Sequence, residues 1–226
     1  MAAESTIEQG VRSMGHMALH YKTPDEGPVA ARLLTMLGYV LTQDLVLPSG
    51  AHFYRFVVDA SHRSRGDGII YLSVLPDAQR DLMQAIHDAL HVGTGHEHPA
   101  VAALRAKIDE DPEFTFHYGT LLESLEDLEQ IFLALEDANA NDPELKGRLK
   151  LVYNRPLPGD AEVDAWLDAS PIYRSVNRYA YGKNGVQAFV ETDLLSSGML
   201  GETLMLEFDY IFPDRANHLL SVVEWQ

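Results

Sequence analysis

The pattern of hydrophobic and polar positions changes period several times along the chain, and each change marks an element. Residues 15–22, Gly-His-Met-Ala-Leu-His-Tyr-Lys, form a short apolar and aromatic run that ends in Thr-Pro-Asp-Glu-Gly-Pro. This predicts a strand followed by a turn. Val29, Leu33, Leu34, Met36 and Leu37 then recur at helical spacing, and Gly38 stands where a C-terminal glycine cap belongs. Three runs of strand character follow at 39–47, 52–59 and 69–75, separated by Pro48-Ser49-Gly50 and a polar loop over 61–68. The order is β-α-β-β-β.

From residue 76 to 113 the period becomes helical. Leu82, Ile86, Ala89 and Leu90 share one face, Gly93-Thr94-Gly95 breaks the pattern, and Val101, Leu104 and Ile108 mark a second helix. At Phe114 the first pattern begins again. A strand-like run, Phe-Thr-Phe-His-Tyr-Gly-Thr-Leu-Leu, precedes a helix opened by Ser124 and carrying Leu128, Ile131, Phe132 and Leu135. Strands are expected at 148–153, 186–192 and 203–212, with an insertion over 154–181 that holds a short helix around 163–167. The second half thus repeats the order of the first, as a duplication would, and His16 and His117 stand early in the first strand of each half.

Composition narrows the chemistry. The absence of cysteine excludes disulfides, thiolate nucleophiles and sulfur-ligated metals, so any metal is held by imidazole and carboxylate. A formal charge of −17, from 34 acidic against 17 basic residues, repels a phosphate backbone, and no nucleic-acid partner is expected. No window approaches the roughly 18 apolar residues of a membrane span, residues 1–15 lack the basic start and apolar run of a secretory signal, and a cytoplasmic location is expected. There is no glycine-rich phosphate loop and no Gly-x-Ser-x-Gly elbow. His87 and His91 lie four apart on the connector, followed by His96 and His98, but without the glutamate of a helix-borne metalloprotease motif they read as a solvent-facing stretch.

The segments His16-Met17-Ala18-Leu19 with Met36-Leu37-Gly38-Tyr39, and His117-Tyr118-Gly119 with Ser124-Leu125-Glu126-Asp127 through Phe132, resemble the vicinal oxygen chelate superfamily, which contains glyoxalases, bleomycin-resistance proteins and extradiol dioxygenases. The second match lacks the Leu-Gly ending of the first. The resemblance implies an α+β fold in which two βαβββ modules of one chain form a shared cavity, joined by a helical connector. The expected bounds are 1–76 for the first module with its N-terminal arm, 77–113 for the connector and 114–226 for the second module with its insertion.

The same resemblance implies a divalent metal held by His16, His117 and Glu207, the last in Thr203-Leu-Met-Leu-Glu-Phe-Asp-Tyr. The corresponding strand of the first half, Ile70-Tyr-Leu-Ser-Val-Leu, has no carboxylate, so the set is two histidines and one glutamate rather than the four ligands of a glyoxalase. Such a set removes one formal charge from Fe(II) and leaves positions open for substrate oxygens and dioxygen. Asp209 and Glu202 are the rival carboxylates. His20, His52, Tyr54, Tyr118, Tyr181 and Tyr210 are candidate proton donors or acceptors; His20 ranks first because it shares the strand face of His16, with Tyr181 beside it as a second candidate.

The function implied is an Fe(II)-dependent dioxygenase resembling extradiol ring-cleaving enzymes, with a catecholic or similar chelating aromatic substrate and dioxygen as partners, although the Tyr-x-x-Asp-Pro-x-Gly stretch of common extradiol enzymes is missing. A homodimer is compatible with it. The alternatives are a glyoxalase-like metal-dependent lyase or isomerase, and a metal-free small-molecule-binding protein of the resistance type.

Overall fold

The computed structural model describes residues 13–196 and 200–214. Most of the expected N-terminal arm, residues 1–12, lies outside the described residues. The described residues form a mixed α+β structure with two sheets of five and four strands.

The first half runs β1 (His16–Tyr21), α1 (Gly27–Met36), β2 (Val40–Val46), β3 (His52–Val57) and β4 (Ile69–Val74). Alternation along β1 sends Leu19 and Tyr21 into the core and leaves His16, Ala18 and His20 on the opposite face. Helix α1 has Pro28 in its first turn, buries Val29, Ala30, Leu33 and Leu34, and ends at Gly38, whose φ of +90° suits a residue without Cβ. Two connector helices follow, α2 (Asp77–Leu90) and α3 (Pro99–Glu110).

The second half runs β5 (His117–Leu122), α4 (Leu125–Asn141), β6 (Leu149–Asn154), α5 (Ala161–Ala169), β7 (Gly185–Thr192), β8 (Leu195–Ser196) and β9 (Leu204–Ile211). Ser124 caps α4 by accepting from the Asp127 amide at 3.0 Å. Two features depart from the pattern read in the sequence. The strand expected from Phe114 starts only at His117, because Pro112–Phe114 forms a 3-10 turn capped by Asp111. The short strand β8 was not foreseen.

The strand order is β2-β3-β4-β1-β8 in one sheet and β5-β9-β7-β6 in the other. In both, the first strand of the half pairs parallel with its last, β1 with β4 and β5 with β9, while the remaining pairs are antiparallel. Strand β8 leaves the second half and joins β1 of the first, pairing His20 with Ser196. The helix-covered faces of both sheets contribute to one buried cluster that includes Leu33, Phe56, Phe132 and Phe208. Further links cross between the halves: Tyr39 and Thr120 share a 2.7 Å hydrogen bond, Tyr118 donates to Tyr39 at 2.9 Å, and Arg32 forms a forked pair with Asp142. Among the described residues no helix is long and apolar enough to cross a membrane.

Candidate metal centre

The period of two places His117, Gly119 and Leu121 on one face of β5, opposite the face that packs on α4. The parallel register sets Gly119 beside Glu207 and Leu121 beside Asp209, and the antiparallel register of β7 sets Phe189 beside Glu207 and Gln187 beside Asp209. Three neighbouring strands therefore deliver His117, Glu207, Asp209 and Gln187 to one patch. Glu113 joins them from the turn that precedes β5.

The inward atoms converge. His117 Nε2 lies 3.1 Å from Glu207 Oε2 and 3.5 Å from Glu113 Oε2. The outward atoms are tied back. His117 Nδ1 meets the Thr115 carbonyl at 2.9 Å, which directs the Nε2 side of the ring to the carboxylates. The Gln187 amide donates to Glu207 Oε1 at 2.5 Å and to Glu113 Oε1 at 2.6 Å. Its own orientation is set by Asn154, which donates to Gln187 Oε1 at 3.2 Å, and Asn154 in turn accepts from Arg178. Glu207, Asp209, Gln187 and Asn154 are all buried.

The electrostatics follow from three carboxyl groups around one imidazole. The hydrogen bond that His117 donates to Glu207 raises the His117 pKa to about 9 against the opposing effect of burial. Burial, then the charge of Glu207, raises Glu113. The same two causes, with a hydrogen bond to Glu207, raise the Asp209 carboxyl well above the usual carboxylate range. Asp209 Oδ1 is buried with no hydrogen-bond partner. A Cβ added at Gly119 would stand 3.2 Å from Asp209 Oδ2 and 3.5 Å from Glu207 Oε2, so the absence of a side chain there leaves room for the two carboxyl groups against β5.

Glu113, His117 and Glu207 can hold a metal ion, since one donor atom from each lies within 4.8 Å of the others. Donors about 2.0–2.2 Å from a shared ion stand about 2.8–3.6 Å apart in tetrahedral or octahedral geometry. The separations of 3.1 and 3.5 Å fall in that range, and the orphaned Asp209 oxygen beside them is a further free acceptor. The residues present fit a divalent cation.

Of the residues singled out from the sequence, His117 and Glu207 come together and His16 is not in their group. His16 stands exposed on β1, its ring 5.4 Å from that of Tyr71. His20 Nδ1 meets Ser73 Oγ at 3.3 Å on the same sheet. Tyr181 donates to Asp111 Oδ2, while Asp111 Oδ1 accepts from the Glu113 amide at 3.1 Å, so Tyr181 braces the turn that carries Glu113; the bond to Asp111 raises its pKa to about 12. Of the rival carboxylates, Asp209 adjoins Glu207 and Glu202 pairs with Arg105. Tyr118 and His52 bond to Tyr39 and Asp44. His87 bonds the Leu200 carbonyl, and His98 caps α3.

Glu113 is the residue that strand-by-strand reading missed. Its only signal was a position four before His117, and Asp111-Pro112 makes the turn that brings it round.

No family model and no curated protein matches the chain. Among solved structures it is similar to a glyoxalase superfamily protein from Ralstonia eutropha JMP134, at 15% identity over 91% of this chain and 74% of that one, with a TM-score of 0.22. It is also similar to a xylose isomerase-like TIM barrel/4-hydroxyphenylpyruvate dioxygenase fusion protein, at 13% identity over 92% of this chain and 27% of that one, again with a TM-score of 0.22. Superpositions this loose assign no role to any residue.

Proposed function

We propose that the protein is a metal-dependent enzyme of the vicinal oxygen chelate type, in which His117, Glu207 and Glu113 hold a divalent cation that binds a small molecule through adjacent oxygens. The observation that carries this reading is the convergence of Nε2 and two Oε2 atoms at metal-ligand spacing, each with its other polar atom tied back. The recurrence of the first-fourth-third-second strand order supports two βαβββ modules.

Two carboxylates and one neutral imidazole balance the charge of a divalent ion in full, unlike the two-histidine, one-carboxylate set expected for Fe(II) oxygen chemistry. This balance favours the lyase or isomerase alternative, where a bound ion supplies Lewis-acid polarisation of a substrate oxygen. The chain's own residues do the rest. Gln187 fixes both carboxylates, Thr115 fixes the imidazole, and Gly119 places no side chain against Glu207 and Asp209. Fe(II) dioxygenase activity on a catechol stands as the second reading because Fe(II) accepts the same donor types.

Calorimetric titration of chelator-treated protein with Mn²⁺, Fe²⁺ under argon, and Zn²⁺ tests the site. One ion per chain is expected, with binding lost in His117→Ala and weakened about 10- to 100-fold in Gln187→Leu. Equal binding by wild type and His117→Ala sinks the proposal. Oxygen uptake with catechol by the Fe²⁺-loaded protein then separates the two chemistries.

A further inference from the structure

A cleft of about 700 Å³ lies between the connector helices and the second sheet. Its walls come from α2, α3, residues 114–116 and residues 200–203, and it contains none of the three residues of the metal centre. The volume falls in the range of sites that enclose a small organic molecule. Leu75, Met83, Leu104, Ile108 and Phe114 make its apolar surface.

The charges of the lining cancel in pairs, with one exception. Arg105 is paired with Glu97 and Glu202, Lys150 with Asp109 and Glu191, Arg80 with Asp77, and Asp193 with Arg148 outside the cleft. Lys22, half-buried at the end of β1, donates to the backbone carbonyl of Glu202, and among the described residues no carboxylate lies within ion-pair distance of it. An ammonium satisfied by one carbonyl has two further donors to place. Burial outweighs the more distant Asp193, Glu26 and Glu202 and draws its pKa below the ordinary lysine value, as it does for a charge lacking a close counter-ion. The cleft therefore offers one positive charge without a carboxylate partner beside an apolar wall.

We propose that this cleft binds a monoanionic amphipathic acid, with its carboxylate on Lys22 and its hydrocarbon or aryl body against Met83, Leu104, Ile108 and Phe114. This site holds none of the three metal-centre residues, although residues 114–116 of its wall join Glu113 to His117. The single ammonium without a carboxylate partner matches a ligand with one negative charge.

Titration of the full chain with decanoate, and with decan-1-ol as the uncharged counterpart, tests the proposal by calorimetry. Decanoate is expected to bind saturably with one site and at least about tenfold more tightly than the alcohol, the weight of one charge-assisted hydrogen bond. Lys22→Met should lower decanoate affinity by about the same factor and leave decan-1-ol binding unchanged. Leu104→Trp, which fills the cleft, should remove both. His117→Ala should leave decanoate binding intact, so failure of the metal reading and failure of this one are separable. No saturable decanoate binding, equal affinity for acid and alcohol, or unaltered affinity in Lys22→Met overturns it.

Discussion

At the scale of the residue, His117 is the pivot of the candidate centre, because proton and metal compete for its Nε2. With its pKa raised to about 9 by Glu207, the imidazole carries a proton at neutral pH in the metal-free protein. Metal binding must displace it. Apparent affinity is therefore expected to rise with pH by about tenfold per unit until the pH reaches about 9, and calorimetry at three pH values in buffers of different ionisation enthalpy reads both the slope and the released proton. The sign for stability is opposite. A histidine whose pKa is higher folded than unfolded contributes stability that is complete below about 6.5 and lost as pH rises through about 9. Urea midpoints of the metal-free protein should fall over that window, and His117→Gln should flatten the fall.

At the scale of the element, packing between β1 and α1 depends on a glycine. Tyr21 is fully buried and its hydroxyl donates to the His52 carbonyl while accepting from the His52 amide. A Cβ at Gly27, the first residue of α1, would stand 2.9 Å from Tyr21 Cζ and 3.1 Å from its hydroxyl. With φ at −51° the backbone is ordinary, so the glycine is required by space and not by conformation. Gly27→Ala should cost about 1–3 kcal/mol through overpacking, read as a lowered urea midpoint with an unchanged slope. Replacing the neighbouring exposed Asp25 by alanine should leave the midpoint nearly unmoved.

At the scale of the molecule, the halves are joined by a common core, by β8 and by charged links between distant segments. Arg32 on α1 holds Asp142, just past α4, through two hydrogen bonds of 2.6 and 2.9 Å, and Arg148 bridges Glu26 and Asp193. The Arg32 hydrogen bond holds the Asp142 carboxyl far below the usual carboxylate range. A group with a depressed folded pKa contributes stability that is present above its unfolded value, near 4, and lost as the pH falls through the folded one. Thermal midpoints should therefore drop below about pH 4, and Arg32→Met should lower the neutral-pH midpoint slightly while making that acid limb shallower. An acid limb of the same slope in both proteins would show that the pair does not link the halves energetically.

How much of this was legible in the sequence follows from the range of each interaction. The order of elements is local. Alternation in residues 16–21, helical spacing over Val29–Leu37 and the Ser124 cap are set by neighbours a few positions apart, and the structure shows those elements at those places. His117 and Glu207 were visible one at a time as a histidine opening one strand and a glutamate within another. Their meeting at 3.1 Å depends on the parallel register of β5 with β9, which no local pattern encodes. Glu113 showed only as a carboxylate four before His117, and Gln187 and Asn154 carried no signal, because each acts across a turn or a sheet. The strand β8 was hidden for the same reason, since two residues become a strand only when β1 lies beside them. Thus the sequence alone determined the succession of strands and helices, through steric and hydrophobic preferences of short reach, and the tertiary structure decided which polar groups share a buried site, because only close packing brings them together away from water.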